Sequence, residues 1–412
     1  MGESGIFGTA MSSKQRFLFL QGVCSPFFPS LANGLRQAGL SVRKINFTVG
    51  DRVYWRQGQA TSFRGPMNSL TEFYAQQYER HGISDIVLFG DCRPVHQPAV
   101  ALAKQAGVRV HVFEEGYFRP YWVTLERNGV NGNSGLPSDP DYYRKRAKEV
   151  PAYDNGVAFL SPFWKRAAYD VGYNFWAGLN PLLHHGVRSH VPYSPAVEYA
   201  NYLRKGVGSH VYRRRAQTVQ TRLTLGPQVQ PYYLFPLQLA TDSQIIFHSK
   251  YNNMSEVIEE VMRSFAAHAP DDTLLLIKAH PLDPGIVNYA KKIRQLSTEL
   301  QIEKRVLYID GGHLPALINT ARAVITVNST VGASALLHGK PTKTLGRAIY
   351  DIPGLTDQSS LHHFWREQQK PDVQLFKKFR NVVIHDTQIN GGFYCQSSIK
   401  LSVKNSLRKL IL

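Results

Sequence analysis

From Arg16 onward, short apolar runs alternate with stretches of helical period, and the series occurs twice. The first comprises the apolar run 17–20, a helical stretch 29–38, a run at 42–47, a helical stretch 69–81, and runs at 86–89 and 108–113. The second begins near Tyr232 and continues through 273–277, a helical stretch 286–300, 306–309, a helix over 314–321, and 323–327. A last short strand, 342–345, follows Gly339-Lys340-Pro341, where Gly and Pro mark a turn. Strands spaced by helices predict parallel sheets with crossover connections, so the fold class is α/β with two Rossmann-like units. A chain of 412 residues also exceeds the comfortable size of one core. The sequence divides into an extension (1–15), a first unit (16–141), an intervening region (142–230), a second unit (231–346) and a C-terminal segment (347–412) expected to pack back across both.

Open α/β sheets bind ligands beyond the carboxyl ends of their strands, so polar sequences at those ends are the first candidates for chemistry. Lys278-Ala279-His280-Pro281 places a cation and an imidazole just after a strand, where either can meet a phosphate; a turn His before a strand-ending Pro is the plainer reading. Asn328-Ser329-Thr330-Val331-Gly332 precedes a helical stretch at 333–337 and suits either N-capping or an anion at a helix N-terminus. Glu114-Glu115-Gly116 ends the run 108–113 with Arg119 close by. A partly desolvated carboxyl there can give and take protons near neutrality, whereas an ion pair could simply anchor the loop. Neighbours on an extended backbone point to opposite faces, so one of the two glutamates is expected to enter the cleft. Asp242, between Thr241 and Ser243, is a candidate nucleophile or base and equally a helix cap; Gln238 and Gln244 flank it as candidate sugar or acceptor contacts. In Gly90-Asp91-Cys92-Arg93-Pro94, Arg93 suits an anionic sugar and Asp91 suits hydroxyls, although Asp is also a common turn residue. Asp139-Pro140-Asp141 matches an acidic metal triplet only formally, because no further ligands cluster with it.

Charge changes the picture next. Lys and Arg exceed Asp and Glu by 48 − 30 = 18, which favours phosphate-rich partners. Between residues 142 and 225 there are 13 basic and 4 acidic residues, so half of the net charge lies in about a fifth of the chain. Phe163, Trp164, Tyr169, Tyr173, Phe175 and Trp176 are interleaved there, a combination that suits a membrane interface or a set of amphipathic helices. No apolar stretch approaches a transmembrane length and no signal-peptide pattern is present, so any membrane association is expected to be peripheral. Cys24, Cys92 and Cys395 have neither disulfide-framework nor metal-ligand spacing, which fits a reducing cytoplasm.

Taken together these segments resemble the capsule polysaccharide β-Kdo transferases of Gram-negative bacteria, the KpsS/LipB family once described as capsule export proteins. The resemblance runs from Phe17-Leu18-Phe19-Leu20-Gln21-Gly22 through Phe89-Gly90-Asp91-Cys92-Arg93-Pro94, Phe113-Glu114-Glu115-Gly116-Tyr117 and Thr330. It continues through Leu345-Gly346, Tyr350-Asp351-Ile352-Pro353-Gly354-Leu355-Thr356 and Leu375-Phe376-Lys377-Lys378-Phe379-Arg380. It implies a GT-B-like enzyme with a deep cleft between its units, working without a metal or other cofactor. The implied reaction transfers Kdo from CMP-β-Kdo to phosphatidylglycerol or lyso-phosphatidylglycerol with retention, beginning the oligo-Kdo linker of a capsule. It further implies that His280, Pro281 and Asn328-Ser329-Thr330, assisted by Lys278, bind CMP in the second unit. Asp242 would be the nucleophile and Glu115, or Glu114, the base toward the acceptor, with Asp91, Arg93, Arg119, Gln238 and Gln244 around sugar and acceptor. The implied location is the inner face of the inner membrane, with a Kdo-extending transferase and an export complex as partners and no nucleic acid. Two other readings stand beside it: a noncatalytic lipid-glycan scaffold, and a CMP-sialic acid transferase.

Overall fold

The computed structural model describes residues 15–56, 58–180, 195–225 and 230–411. The extension, apart from Gln15, and parts of the intervening region (181–194 and 226–229) lie outside these residues. Two compact units are present, one formed by Met1–Glu114, Val157–Arg188 and Ile389–Leu412, the other by Glu115–Gly156 and Ser189–Gln388. Both are discontinuous, unlike the contiguous blocks drawn along the sequence, and the segment 347–412 is shared between them at residue 388.

In the first unit the strands β1 (Arg16–Phe19), β2 (Ser41–Asn46), β3 (Gln59–Ser62), β4 (Asp85–Phe89) and β5 (Arg109–Glu115) are parallel, in the order β3-β2-β1-β4-β5. Phe17 and Phe19 of β1 and all of Ile86, Val87 and Leu88 of β4 are buried, as expected for strands covered on both faces. β5 runs two residues further than the apolar run 108–113 predicts. Glu114 and Glu115 therefore end the strand instead of following it.

At the opposite end of this sheet, fully buried Asp85 accepts hydrogen bonds from Arg109 (2.8 and 2.6 Å), His111 (2.7 Å) and Ser84 (2.7 Å). Burial alone would raise its pKa, but these donors hold the carboxyl well below the usual range. That stabilisation is present above the unfolded carboxylate pKa of about 4 and fades as pH falls below it. Asp85→Ala is expected to lose on the order of 3 kcal/mol at neutral pH. In thermal melts, the gap to wild type should narrow under acid; a pH-independent gap would count against the ionic origin.

The helix Phe163–Ala177 has no fully buried residue, yet it is anchored. Tyr173 Oη meets Thr48 Oγ1 (2.7 Å), accepts from Gln21 Nε2 (3.0 Å) and donates to Asp51 Oδ1 (3.1 Å), while Tyr54 Oη donates to the carbonyl of Tyr169 (2.8 Å). The aromatics of this region thus divide: Tyr169 and Tyr173 face the unit, and Phe163, Trp164, Phe175 and Trp176 are exposed by 63%, 65%, 73% and 40%.

In the second unit β7 (Tyr232–Pro236), β8 (Leu274–Lys278), β9 (Val306–Ile309), β10 (Ala323–Thr326) and β11 (Thr342–Thr344) form a parallel sheet in the order β11-β10-β7-β8-β9. Alternation sorts the side chains to two faces. Tyr233, Phe235, Leu275 and Ile277 pack with Phe265 and Trp365 on one, while Tyr232, Leu234, Leu274 and Leu276 pack with Ala216 and Leu223 on the other. A further strand of this unit, β6 (Trp122–Arg127), is held through Thr124, whose Oγ1 donates to the carbonyl of Glu115 (3.0 Å) and accepts from Gln388 Nε2 (2.9 Å). Asp139 caps the helix Pro140–Arg146 by accepting from Asp141 N (2.9 Å), a structural role for the acidic triplet. Among the described residues no helix is long and apolar enough to cross a membrane.

Candidate active site

Each sheet reverses its strand order between its first and fourth strands, β1 and β4 in one unit and β7 and β10 in the other. Beyond the carboxyl ends at such a reversal the connections diverge, leaving a crevice for a ligand. In the second unit the loop after β7 carries Gln238 and Asp242, and the loop after β10 carries Asn328. Buried Gln238 ties them together: its Nε2 donates to Asp242 Oδ2 (3.0 Å) and Asn328 Oδ1 (3.0 Å), and its Oε1 accepts from Asn328 N (3.2 Å). Asn328 Nδ2 then donates to the carbonyl of Gln244 (2.8 Å), which closes the ring of contacts.

Asp242 caps the short helix Ser243–His248, its Oδ1 accepting from Gln244 N (2.9 Å). Burial raises its pKa; the bonds from Gln238 and from the Gln244 amide pull in the other direction. Capping is therefore real, and it fixes the carboxylate at the sheet's reversal point. Ser329 likewise caps the helix Thr330–Leu337 by accepting from Val331 N (3.2 Å), and the half-exposed start of that helix presents Thr330 to solvent. Tyr350 Oη donates to the carbonyl of Ser329 (2.5 Å) and lies where a side chain on residue 332 would be, so Gly332 is required for this approach.

His280 follows β8, next to β7 in the sheet. Its Nδ1 accepts from Leu282 N (3.1 Å), which leaves the proton of the neutral ring on Nε2. Burial lowers its pKa to about 4, and Lys278, Arg119 and Lys205 add to the effect. The ring is thus a neutral donor among cations, an arrangement suited to a phosphate or carboxylate. Lys278 is the last residue of β8 instead of the first of the loop; it is buried, its Nζ donates to the carbonyl of Ala279 (3.3 Å), and burial lowers its pKa. Pro281 and Arg119 are exposed, the latter with Nε on the carbonyl of Gly116 (3.4 Å).

The first unit repeats the device at its own reversal point. Arg93, after β4, donates through Nη1 to Gln21 Oε1 (3.0 Å) and to the carbonyl of Gly22 (3.2 Å), both after β1, and its guanidinium lies 5.2 Å from the Phe89 ring centre. Asp91 is buried beside it in sequence, and Glu114 Oε2 lies 3.3 Å from where a Cβ on Gly90 would stand. Thus Asp91, Arg93 and Glu114 belong to the first unit. Glu115, Arg119, Gln238, Asp242, Gln244, Lys278, His280, Pro281, Asn328, Ser329 and Thr330 belong to the second.

Three further contributors are not among the candidate site residues that the sequence offers, although Tyr350 lies in a segment that carries the family resemblance. Arg347 and Tyr350 line a small cavity with Gln244, Asn328 and Thr330, and Lys205 of the helix Pro195–Leu225 adds positive charge near His280. Arg347 follows β11, so the rule of strand ends would have flagged it; Lys205 lies far away in sequence and had no such signal.

Residues 84–394 match the family model described as capsule polysaccharide biosynthesis protein. The chain belongs to that family. Within the curated relatives, capsule polysaccharide export protein KpsS of Escherichia coli is 38% identical over 94% of this chain and 98% of its own length. Capsule polysaccharide modification protein LipB of Neisseria meningitidis is 34% identical over 94% and 93%. Among solved structures, KpsC of Thermosulfurimonas dismutans, a β-Kdo 2,7 transferase, aligns over 96% of this chain and 99% of its own with a TM-score of 0.44 and 15% identity. Every candidate residue named above lies inside the span matched by the capsule polysaccharide biosynthesis model.

Proposed function

We propose that this capsule-family protein is a retaining glycosyltransferase that uses CMP-β-Kdo and adds the first β-Kdo to phosphatidylglycerol or its lyso form. The observation that carries the reading is the Gln238-Asp242-Asn328 network at the reversal point of the second sheet, with the neutral imidazole of His280 at the neighbouring strand end. A half-buried carboxylate held there by two donors has a fixed orientation and is partly shielded from water, which suits a nucleophile at an anomeric carbon.

In this reading Asp242 forms a bond to the anomeric carbon as the bond to the CMP phosphate breaks, and the electron pair leaves with CMP. His280 Nε2, Lys278, Asn328, Ser329, Thr330 and backbone N–H groups at the start of the helix Thr330–Leu337 hold the departing phosphate. Glu115, or Glu114, then takes the proton of the acceptor hydroxyl, whose oxygen displaces Asp242. Two displacements restore the configuration. Arg119, Arg93 and Asp91 serve the sugar carboxylate and hydroxyls, and no metal is needed to bridge donor and enzyme. The acceptor lies at the inner face of the inner membrane, approached through the basic aromatic region, where each cation near an anionic leaflet contributes roughly 1 kcal/mol. The product would pass to a Kdo-extending transferase and an export complex.

Purified protein, CMP-Kdo generated in situ and a fluorescent phosphatidylglycerol analogue provide the test. One Kdo added to the lipid, resolved by mass, is expected. A product made from CMP-sialic acid instead would redirect the donor assignment, and no sugar transfer under varied conditions would leave the scaffold reading in its place.

A further inference from the structure

In the first unit, the helices Phe27–Gln37, Phe163–Ala177 and Gln396–Leu410 enclose an open cavity of ≈ 900 Å³. Its volume is in the range of about 300–1,000 Å³ typical of small-molecule sites. One wall is a continuous apolar stripe, Ile399, Val403 and Leu407, spaced four residues apart on one helix face. The facing wall includes Trp164, and Gly34 lets the Leu407 side chain approach to 2.9 Å from its missing Cβ position. Among the described residues, three lysines, Lys165, Lys400 and Lys404, belong to the lining, and no Asp or Glu does. Lys400 and Lys404 are exposed, one helical turn apart, on the edge of the apolar stripe.

An apolar trough with one-sided positive charge is complementary to an amphiphile with a negative head. The exposed rings of Phe163 and Trp164 and the side chain of Leu160 (86% exposed) extend apolar surface along the same segment of chain as the groove wall. Aromatic and aliphatic groups of that kind partition to the acyl boundary of a bilayer, with lysines at headgroup level.

We propose that this groove receives an acyl chain of an anionic lipid, with Lys165, Lys400 and Lys404 around the headgroup. The assignment rests on the reading that the acceptor is a lipid, and it places chain recognition in the first unit on side chains that take no part in the proposed sugar chemistry. A second copy of the chain meeting this groove through the same face would find no acidic complement among the described lining residues, and an uncharged lipid would offer the three lysines no counter-charge.

The test uses the full chain and a long-chain lysophosphatidylglycerol carrying a diazirine near the end of its acyl chain, with irradiation followed by peptide mapping. Label is expected on the peptides that contain Val403 and Trp164. It should fall about tenfold or more when Lys400→Glu and Lys404→Glu are combined, and lysophosphatidylcholine should compete correspondingly less well. Val403→Trp, which fills the groove, should also reduce labelling, with a thermal melt to verify folding; the lysine pair is on the surface and leaves the core intact. Label spread over Phe175 and Trp176 without groove peptides, equal competition by the zwitterionic lipid, or crosslinks placing residues 1–14 in the groove would overturn the proposal. No sugar donor is required, so labelled protein that fails to transfer Kdo refutes the proposed reaction alone, and transfer without groove label refutes the groove alone.

Discussion

Asp242→Asn is expected to reduce Kdo transfer about 10³-fold or more while the protein melts no lower than wild type. Asn is as good an N-cap as Asp, so its side-chain oxygen can keep the bond from Gln244 N that now measures 2.9 Å. The new amide meets the Nε2 donor of Gln238, a local conflict of two donors. Against that, the substitution removes a carboxylate whose pKa is raised by burial. A carboxyl with a folded-state pKa above its unfolded value loses stability as pH rises through that value, so neutralising it offsets the conflict at neutral pH. If Asp242 only capped its helix, Asn would preserve both fold and transfer; activity near wild type would eliminate the nucleophile. Intact-mass measurement with CMP-Kdo sharpens the outcome. A Kdo adduct should be absent from Asp242→Asn and should accumulate in Glu115→Gln, whose second displacement lacks its base.

The architecture around Asp242 was readable because buried parallel strands are short apolar runs and their ends are polar. The second unit's strands fall within a residue or two of the runs at 273–277, 306–309, 323–327 and 342–345. β3 had no such signal: Gln59-Ala60-Thr61-Ser62 is polar and sits at the sheet edge beside β2, where pairing on one side suffices. The polar ends of β5 and β8 extended the strands by one or two residues, which places Lys278 in the core and makes its ammonium harder to present to a ligand than the sequence suggested. The gathering of Gln238, Asp242 and Asn328 depends on β7 and β10 being neighbours although 86 residues separate Asp242 from Asn328 (328 − 242). Periodicity identifies strands without giving their order, so this adjacency had to come from topology. The competing cap and ligand readings at Asp242 and Ser329 also prove compatible, because a cap uses one lone pair of an oxygen and leaves others for a substrate.

Replacing His280 separates its two nitrogens. Asn reproduces the position of Nδ1, the acceptor for Leu282 N at 3.1 Å, but lacks the Nε2 donor; Gln reproduces the donor and loses the turn acceptor. His280→Asn is therefore expected to weaken CMP binding about 10- to 100-fold, the worth of a hydrogen bond to a charged group, with the turn intact. His280→Gln should bind CMP more tightly than His280→Asn while melting lower, and calorimetric titration beside thermal melts measures both. The pH dependence follows from the same environment. With burial, Lys278, Arg119 and Lys205 lowering the pKa to about 4, the ring is neutral throughout the physiological range. Its contribution to CMP affinity should therefore be flat from about pH 6 to pH 8, whereas an imidazolium contact at the ordinary pKa of about 6.5 would weaken across that interval. The stability sign is the one for a depressed pKa: the contribution is complete above about pH 6.5, and it is lost as pH falls toward 4, because the unfolded chain takes the proton first. His280→Asn removes that part of the acid slope. CMP affinity equal to wild type in this variant would exclude His280 from the phosphate site, whatever its effect on acid stability.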